Sequence, residues 1–424
     1  MKSPWPTKKL GEICEERKEK NINNENLPVF TVSHIYGLIP YQNIFYKQVH
    51  SKDTKNYKIV NRYDFAFGLP TKDTLPYGLL ENEDKVLVSP AYVVFSIKNK
   101  NLLFPRFLYY LLKTNYYKWK IIEMAKSQSA TRHGLPLKFH HLANLEIPLP
   151  PLHIQQKIVK ILDTVQSAVD IQEKIIEKTK ELKKSLMAEL FKYGAPSFRK
   201  GRKLKKTEIG EIPENWEIVK LGDEKKGEPL ILTLRNGLTY KQHELQESGL
   251  PITRIETIAD GKIDFEKVDY LKNIDQNLLE EYKLKKGDIL FSHINSEIHL
   301  GKTAIYLEDK FILHGMNLLL IRSNSKFIDS KFLNYLFNWY KDNGIFISIA
   351  SRAVNQASIN QNTLKNLKIP LPPLPEQQEI AEILQTIDRK IEIEKKKKEL
   401  YEELFKTMLN KIMNQEIDIN LLDY

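Results

Sequence analysis

One stretch of sequence occurs twice in this chain. Residues 147–164 read IPLPPLHIQQKIVKILDT and residues 369–386 read IPLPPLPEQQEIAEILQT, and twelve of the eighteen positions are identical. A match of this length within one chain indicates an internal duplication. The fold and the function must therefore both suit a molecule that has two similar halves.

The duplication extends upstream, although its copies are interrupted by insertions and deletions. Each half begins with a Trp that is separated by four residues from a Leu-Gly pair, at Trp5 and at Trp216. In contrast, the middles of the halves, 20–85 and 225–310, share little identity. A repeated frame with different contents predicts two readers of different targets on a common scaffold.

The composition limits the class of protein. The chain has 424 residues, which is enough for two to four domains, and its 65 Lys and Arg against 54 Asp and Glu give a net charge of +11. A basic surplus favours an anionic partner, of which nucleic acid is the commonest. The single cysteine excludes an internal disulfide and a cysteine-based zinc site. We expect a cytoplasmic protein, because the sequence shows neither a long apolar run nor the apolar core of a signal peptide.

A long helical pattern follows each IPLPPL run. Apolar residues recur there at spacings of three and four for about forty residues without Gly or Pro, which predicts roughly 60 Å of helix at 151–193 and at 373–415. Prolines mark the start of both helices. An apolar stripe on a helix rich in Glu and Lys needs a partner helix, and the other copy is the obvious one.

The remaining segments complete the domain prediction. Residues 1–150 and 207–372 combine short β-like runs, turn signals and helices, so we expect each to be a globular α+β domain. The basic segment 194–206 is interpreted as a solvated tether, with phosphate contact as the alternative. Residues 416–424 form a C-terminal tail.

The sequence lacks the motifs of several catalytic classes. Gly301-Lys302-Thr303 looks like the end of a phosphate-binding loop, but Ser296 stands where the first Gly is required. No G-x-G-x-x-G occurs, and neither does an adenine-methyltransferase Asn-Pro-Pro-Tyr or Asp-Pro-Pro-Tyr. The histidines do not follow metal-ligand spacing. These absences favour a non-catalytic binding protein. A self-contained DNA-modifying enzyme and a scaffolding adaptor that is indifferent to DNA sequence are the alternatives.

The chain resembles the specificity subunit of type I DNA restriction–modification enzymes. The segments that carry the resemblance are the IPLPPL runs with Gln155-Gln156 and Gln377-Gln378, residues 206–216 (KTEIGEIPENW), residues 286–291 (KGDILF) and residues 88–95 (VSPAYVVF). Two departures lie in the first half. It keeps only Trp5 to Gly11 of the segment that leads into the second domain, and Tyr63 precedes Asp64 where Gly-Asp is expected.

The resemblance implies a division of labour. Each globular domain is a target recognition domain that reads one half of a split, asymmetric site in double-stranded DNA. The two long helices pack as an antiparallel coiled coil with approximate two-fold symmetry and set the spacing between the half-sites. Two methyltransferase subunits and motor–nuclease subunits join this chain, and S-adenosylmethionine, ATP and magnesium are expected on those partners. The near-identical helix starts are expected to dock the same kind of partner rather than to read DNA.

Candidate DNA-reading residues are polar or basic side chains on loops, since such groups contact base edges and phosphates. The strongest candidates lie in the loops just before the proline-rich runs and are Gln128, Arg132 and His133 in the first half and Arg352, Asn355 and Gln356 in the second. Further candidates are His34, Arg62 and Lys72 in the first domain and Arg235, Arg254, His293 and Asn295 in the second. The alternative is that these are ordinary polar loops that cap a helix.

Overall fold

A computed structural model gives the fold and describes residues 5–44, 53–126, 135–259, 261–272, 274–353, 356–417 and 419. The chain forms two compact units, which are Met1–Glu173 with Lys396–Tyr424, and Lys174–Lys395. Each unit therefore holds one globular domain and a part of each long helix. Within the described ranges, no helix is both long and apolar enough to cross a membrane.

The fold mixes short strands with helices in both halves, as the α+β prediction requires. The α-helices are Leu10–Ile13, Pro105–Lys113, Asn115–Lys126, Phe139–Ala143, Leu152–Tyr193, Gln276–Tyr282, Ser330–Asp342, Ile345–Ile349, Gln361–Lys365 and Leu374–Met413. The strands of the first half are Thr7–Lys9, Cys14–Glu16, Phe30–Ser33, Gly37–Pro40, Lys58–Asn61, Phe65–Phe67, Tyr77–Leu79, Lys85–Val88, Val93–Ile97 and Glu146–Pro148. Those of the second half are Leu204–Thr207, Gly210–Pro213, Glu217–Lys220, Glu224–Lys225, Glu228–Pro229, Ile231–Asn236, Leu245–Gln246, Leu250–Thr253, Val268–Leu271, Ile289–Phe291, Ile294–Asn295, Thr303–Ile305, Leu319–Ser323, Ser351–Ala353, Gln356–Ser358 and Lys368–Leu371.

Each domain is built around a four-stranded antiparallel sheet of the same topology. In both sheets the strand order follows the chain order first, fourth, second, third. The order in the first domain is Cys14–Glu16, Val93–Ile97, Phe65–Phe67, Tyr77–Leu79, and the order in the second is Ile231–Asn236, Leu319–Ser323, Ile289–Phe291, Thr303–Ile305. The register also agrees, because Phe65 pairs with Phe95 as Ile289 pairs with Ile321. The duplication is therefore present in the sheets, where little sequence identity remains.

The turn that leads into the central strand resolves one departure from the family pattern. Gly287 has a φ of +94° and Tyr63 has a φ of +70°, so both residues adopt the left-handed conformation that a glycine accepts most easily. Asp288 and Asp64 follow them and accept backbone N–H groups from Lys285 and Asn61, respectively. Tyr63-Asp64 is thus the same turn as Gly287-Asp288.

Each domain is closed by a strand pair that joins its beginning to its end. Thr7–Lys9 pairs with Glu146–Pro148, and Glu217–Lys220 pairs with Lys368–Leu371. The repeated Leu-Gly pair follows directly, and its glycine permits a close approach, since a Cβ on Gly11 would lie 2.9 Å from the Cβ of Ala143. The short Leu-Gly signature therefore reflects a packing requirement.

The repeated Gln-Gln pairs differ in role between their two residues. Gln155 is fully buried; its Oε1 accepts the N–H of Phe104 at 2.8 Å, and its Nε2 donates to the carbonyls of Leu102 and Pro150 at 2.9 and 2.8 Å. Gln377, also fully buried, makes the same three contacts. Its partners are Asp329 N at 2.9 Å, Phe327 O at 2.9 Å and Pro372 O at 2.8 Å.

The second glutamine of each pair, Gln156 and Gln378, is exposed. The expectation that these helix starts are alike because both dock a partner stays a prediction, and it can apply only to the exposed residues. The first glutamine of each pair is alike because it ties the loop before the aromatic helix to the start of the long helix.

The two long helices lie antiparallel within each unit. In the first unit Lys398 forms an ion pair with Glu173, and Phe405 and Ile412, further along the second long helix, share a core with Ile158, which lies earlier on the first. In the second unit the Lys183 ammonium lies 2.6 Å from the Asp388 carboxylate. There Leu190 shares a core with Ile380. The predicted packing of the two helices against each other is confirmed within both units, but Leu182, Leu400 and Leu404 of the predicted stripes are exposed.

The central linker is folded and differs from the expected solvated tether. Arg202 pairs with the fully buried Glu376, whose carboxylate also accepts Trp216 Nε1–H at 3.0 Å and Ala195 N–H at 3.2 Å. The Nζ of Lys205 donates to the carbonyl of Glu214 at 2.9 Å. Arg202 and Lys205 are therefore both bonded within the second unit. Arg202 supplies the opposite charge that the buried carboxylate of Glu376 requires.

Candidate nucleic-acid interface

A main-chain hydrogen bond ties the segment before the proline-rich run to the loop after the central strand in both domains. The central strands Phe65–Phe67 and Ile289–Phe291 run into loops that carry Pro70 and His293. The N–H of Leu135 donates to the carbonyl of Pro70 at 2.7 Å, and the N–H of Ile359 donates to the carbonyl of His293 at 2.8 Å. In each half, the segment before the proline-rich run therefore returns to the loop that leaves the central strand.

In the second domain this return builds a three-stranded sheet, which we call the recognition edge. Its strands lie in the order Ile294–Asn295, Gln356–Ser358, Ser351–Ala353. Ala357 of the middle strand pairs with Asn295 on one side and with Arg352 on the other. Neighbouring strands lie about 4.8 Å apart, so the backbones of Asn295 and Arg352 are about 10 Å apart. The structure thus brings together the predicted residues Arg352, Gln356, Asn295 and His293.

Arg352 is the most accessible charged group of the recognition edge. Its side chain is 65% exposed, and its Nε lies 3.1 Å from a carboxylate oxygen of Glu297. An exposed pair of this kind contributes only ~0–1 kcal/mol, so a stronger ligand can displace Glu297 from the guanidinium. Gln356 beside it is also exposed. Both side chains are therefore free to meet a ligand at this surface.

His293 is a different kind of candidate, since it is only 8% exposed. Burial lowers the pKa of its imidazole, which favours the neutral ring. Among the described residues, its Nδ1 has no hydrogen-bond partner. His293 therefore offers a neutral donor or acceptor and not a positive charge.

Two further candidates of the second domain are held in ion pairs away from this sheet. Arg235 lies over the ring of Tyr282, with its guanidinium 4.3 Å from the ring centroid, and pairs with Glu281 at 2.7 Å. Arg254 pairs with Asp269 at 3.2 Å. Their charges are already compensated within the domain, so they are weaker candidates than Arg352.

In the first domain, Lys72 and His34 lie in two different loops. Lys72 is exposed two residues after Pro70, which bonds to Leu135. His34 begins the tip of a tight hairpin, where the Ser33 Oγ accepts the N–H of Ile35 at 3.1 Å. A small cavity of about 150 Å³ joins this tip to Thr74 and Lys113.

Arg62 lies at the other end of the central strand, 3.4 Å from the carboxylate of Asp84, and does not join these groups. Gln128, Arg132, His133 and Asn355 lie outside the described residues. Those four assignments stay predictions.

The sequence did not indicate all of the residues that line this surface. Glu297 carries no such signal in the sequence, because an acidic residue does not neutralise phosphates. Asn236 and Asn360 meet in one cleft beside His293 although they are far apart in the chain. In the sequence they are marked only by the abundance of side-chain amides next to the strand ends. Contacts between distant segments of the chain bring these amides together.

Comparison with known proteins places the chain. The family described as "Type I restriction modification DNA specificity domain" matches residues 2–181 and 213–403, which cover most of both halves. The MjaVIII type I restriction enzyme specificity subunit of Methanocaldococcus jannaschii is 30% identical over 433 aligned residues, covering 99% of this chain and 94% of the relative. The MjaX specificity subunit of the same organism is 50% identical over 221 residues. The chain spans 50% of the length of that relative.

Solved structures show the same fold. One solved chain is described under "Structural basis underlying complex assembly and conformational transition of the type I R-M system". It superposes with a TM-score of 0.58 at 18% identity, and the match covers 97% of this chain and 98% of the other. The type I S subunit from M. genitalium superposes with a TM-score of 0.53 at 14% identity, covering 97% and 96% of the two chains. At these identities the likeness supports the architecture of two repeated domains and two long helices.

Proposed function

Because the chain belongs to the family of type I restriction–modification DNA specificity domains, we propose that each of its globular domains reads one half of a split, asymmetric site in double-stranded DNA. The chain provides sequence specificity and leaves the chemistry to other subunits. The first domain, within 1–150, reads one half-site, and the second, within 207–372, reads the other. The helices 151–193 and 373–415 set the spacing between them.

The observation that supports this proposal is that each domain ties the segment before its proline-rich run to the loop after its central strand by a main-chain hydrogen bond, from Leu135 to Pro70 and from Ile359 to His293. Segments of unrelated sequence are thus attached to corresponding loops of two similar frames. A shared frame suits the common geometry of the DNA backbone, while different side chains suit different bases. An asymmetric site follows, because the contents of the two domains differ.

The groups at the recognition edge match the chemistry of base reading. An Arg such as Arg352 can donate two hydrogen bonds to the O6 and N7 of guanine, and amides such as those of Asn295 and Gln356 match the N6 and N7 of adenine. Lys72, as an exposed cation, suits a phosphate. The excess of positive charge supports association with DNA at moderate salt concentration.

The exposed glutamines at the helix starts fit a role in assembly. Gln156 and Gln378 occupy equivalent positions, and their side chains are free of the internal contacts that hold Gln155 and Gln377. We expect each to lie where a methyltransferase subunit docks, which gives two equivalent docking places per chain. Motor–nuclease subunits complete the assembly. S-adenosylmethionine, ATP and magnesium belong to these partners.

Replacing Arg352 by Ala tests DNA reading directly. The chain is expressed with its methyltransferase partner, and methylated adenines are mapped across the host genome. We expect a bipartite motif for the wild type. For Arg352→Ala, discrimination at one base pair of one half-site should fall by about 1–3 kcal/mol, while the other half-site is unchanged. Lys286→Ala is the matched control, since Lys286 is 63% exposed and also pairs with a single carboxylate, that of Asp309.

An unchanged motif for Arg352→Ala would remove this residue from the reading surface. A wild type that methylates without a bipartite motif would refute the proposed function itself. A second measurement addresses the alternative of a self-contained enzyme. The chain alone, incubated with DNA, magnesium and S-adenosylmethionine, is expected to methylate nothing, and turnover by the lone chain would overturn the assignment of catalysis to partners.

A further inference from the structure

A cleft of about 380 Å³ opens beside the recognition edge of the second domain. It is far larger than the ~30 Å³ that one water molecule occupies in the liquid. We call it the amide cleft, because side-chain amides dominate its polar lining, which consists of Asn236, His293, Ser358, Asn360, Gln361 and Asn362. The other two lining residues are isoleucines.

The lining limits the class of ligand. No lining residue is charged at neutral pH when His293 is neutral, so a phosphate or a carboxylate would enter without a compensating charge, at a high desolvation cost. A hydrocarbon would leave the amides and the hydroxyl without hydrogen-bond partners. A flat, neutral group with several donors and acceptors on its edge meets both conditions, and a nucleobase is such a group.

One lining residue has an unpaired ring nitrogen. His293 is 8% exposed, and its Nδ1 has no hydrogen bond within the described residues. Buried polar atoms are nearly always satisfied, so this side chain has capacity for one more hydrogen bond. Asn236 is exposed and Gln361 is half-buried, and neither side chain shows a hydrogen bond to the described residues, so both amides are accessible to a ligand. Asn360 already accepts the N–H of Thr363 at 2.8 Å.

The cleft is continuous with the recognition edge. Ser358, which lines it, pairs with Ser351, the neighbour of Arg352. A duplex that meets Arg352 is therefore within one or two residues of the cleft. We propose that the amide cleft binds one base of the second half-site, with adenine favoured because Asn and Gln amides match its N6 and N7. This inference rests on the proposed function, since it requires the second domain to read DNA.

The test uses the complex with the methyltransferase partner and the mapping of methylated adenines. Asn236→Ala and Gln361→Ala, made singly, are expected to lower discrimination roughly tenfold to a hundredfold at one base pair of one half-site, with the other half-site unchanged. The affected base pair should be an A·T pair and should lie beside the one that Arg352→Ala relaxes. Asn277→Ala is the control, since Asn277 is an exposed amide on Gln276–Tyr282 that does not line the cleft.

The outcomes separate this inference from the proposed function. If Arg352→Ala relaxes a half-site but both cleft variants keep the wild-type motif, the cleft is not a base pocket and the proposed function stands. Uniform loss of methylation at both half-sites would show a structural role and would also overturn the inference. A wild type without a bipartite motif would refute both.

A free nucleoside offers the same chemistry as a base in DNA. Adenosine is therefore added in large excess to the wild type and to Asn236→Ala, and thermal unfolding is followed. No shift in Tm is expected, because a lone nucleoside lacks the backbone contacts of the duplex. Stabilisation of the wild type that Asn236→Ala abolishes would assign the cleft to free nucleosides and overturn its assignment to DNA.

Discussion

The two domains form the same turn before their central strand but compensate the charge of its aspartate differently. Asp288 is fully buried and forms two contacts with Arg322, at 2.6 Å to Nε and 2.7 Å to Nη2. Asp64 is 4% exposed, and the register of the sheets places Ser96 where Arg322 stands. Burial therefore raises the pKa of the Asp64 carboxyl. A duplicated backbone can thus keep its geometry while the electrostatics beneath it diverge.

A second difference concerns the start of the long helices. The position of the buried Glu376, which joins Arg202 and Trp216, is occupied in the first half by Ile154, which is also buried. At this matched position the second half has a polar cluster and the first half has a buried apolar side chain. At these two places the halves differ in a buried ion pair, while the turn and the glutamine contacts of the main chain are kept.

Removing Arg322 should have the largest effect on stability, because Arg322 compensates the charge of Asp288 in the second domain. Arg322→Ala leaves Asp288 charged and buried, which we expect to cost ~3–5 kcal/mol of unfolding free energy. Urea unfolding followed by tryptophan fluorescence measures this loss. Ser96→Ala at the equivalent site of the first domain is the control and should cost less than ~1 kcal/mol, because the hydroxyl makes one bond of 3.3 Å to an exposed glutamate, Glu15.

A double variant sharpens this result. Arg322→Met with Asp288→Asn removes both charges, and we expect it to regain most of the loss, since a neutral pair avoids the uncompensated charge. If Arg322→Ala and Ser96→Ala were equally mild, the ion pair would not distinguish the domains.

The buried glutamines should instead show that the halves are equivalent. Gln155→Ala and Gln377→Ala each leave two main-chain carbonyls and one N–H without their partner. We expect a loss of ~2–4 kcal/mol in both variants. Gln156→Ala and Gln378→Ala, whose side chains are exposed, are matched controls and should change stability by less than ~0.5 kcal/mol. A loss in only one half would contradict the common role.

The smallest effect is expected at Asp64 and depends on pH. A carboxyl whose pKa is raised on folding binds its proton more tightly in the folded state, so stability falls as the pH rises above the unfolded value of about 3.9. Asp64→Asn keeps an oxygen that can accept the N–H of Asn61 and removes the buried charge. At neutral pH we expect a rise in Tm of at most ~2–4 °C, with the gain lost at acidic pH. Calorimetry between pH 4 and pH 7 measures it, and a fall in Tm at pH 7 would contradict it.

Much of the frame could be predicted from local patterns. The apolar spacing after each IPLPPL run predicted long helices, and the structure has them at Leu152–Tyr193 and Leu374–Met413. The mixture of helices and short strands expected in both globular domains was also confirmed. These features depend on periodicity and on turn residues that lie close together in sequence, so local rules suffice.

Contacts between distant segments could not be predicted in this way. Thr7–Lys9 pairs with Glu146–Pro148, and Glu376 lies against Arg202, yet no local pattern records either partner. For the same reason the linker was expected to be solvated. The sequence identified the loops carrying Arg352 and His293 separately, and only the fold shows that they meet; their contact with DNA stays a prediction.

The hydrogen bond from Leu135 to Pro70, with its counterpart from Ile359 to His293, has a consequence for evolution. A main-chain donor and a main-chain acceptor hold each loop, so every residue except proline can serve as the donor and any residue can serve as the acceptor. The anchor thus places almost no demand on side chains. Under the proposed function, mutations in the loop would change the preferred base without loosening the attachment, and a lineage would acquire a new DNA target through a few substitutions while the frame is kept.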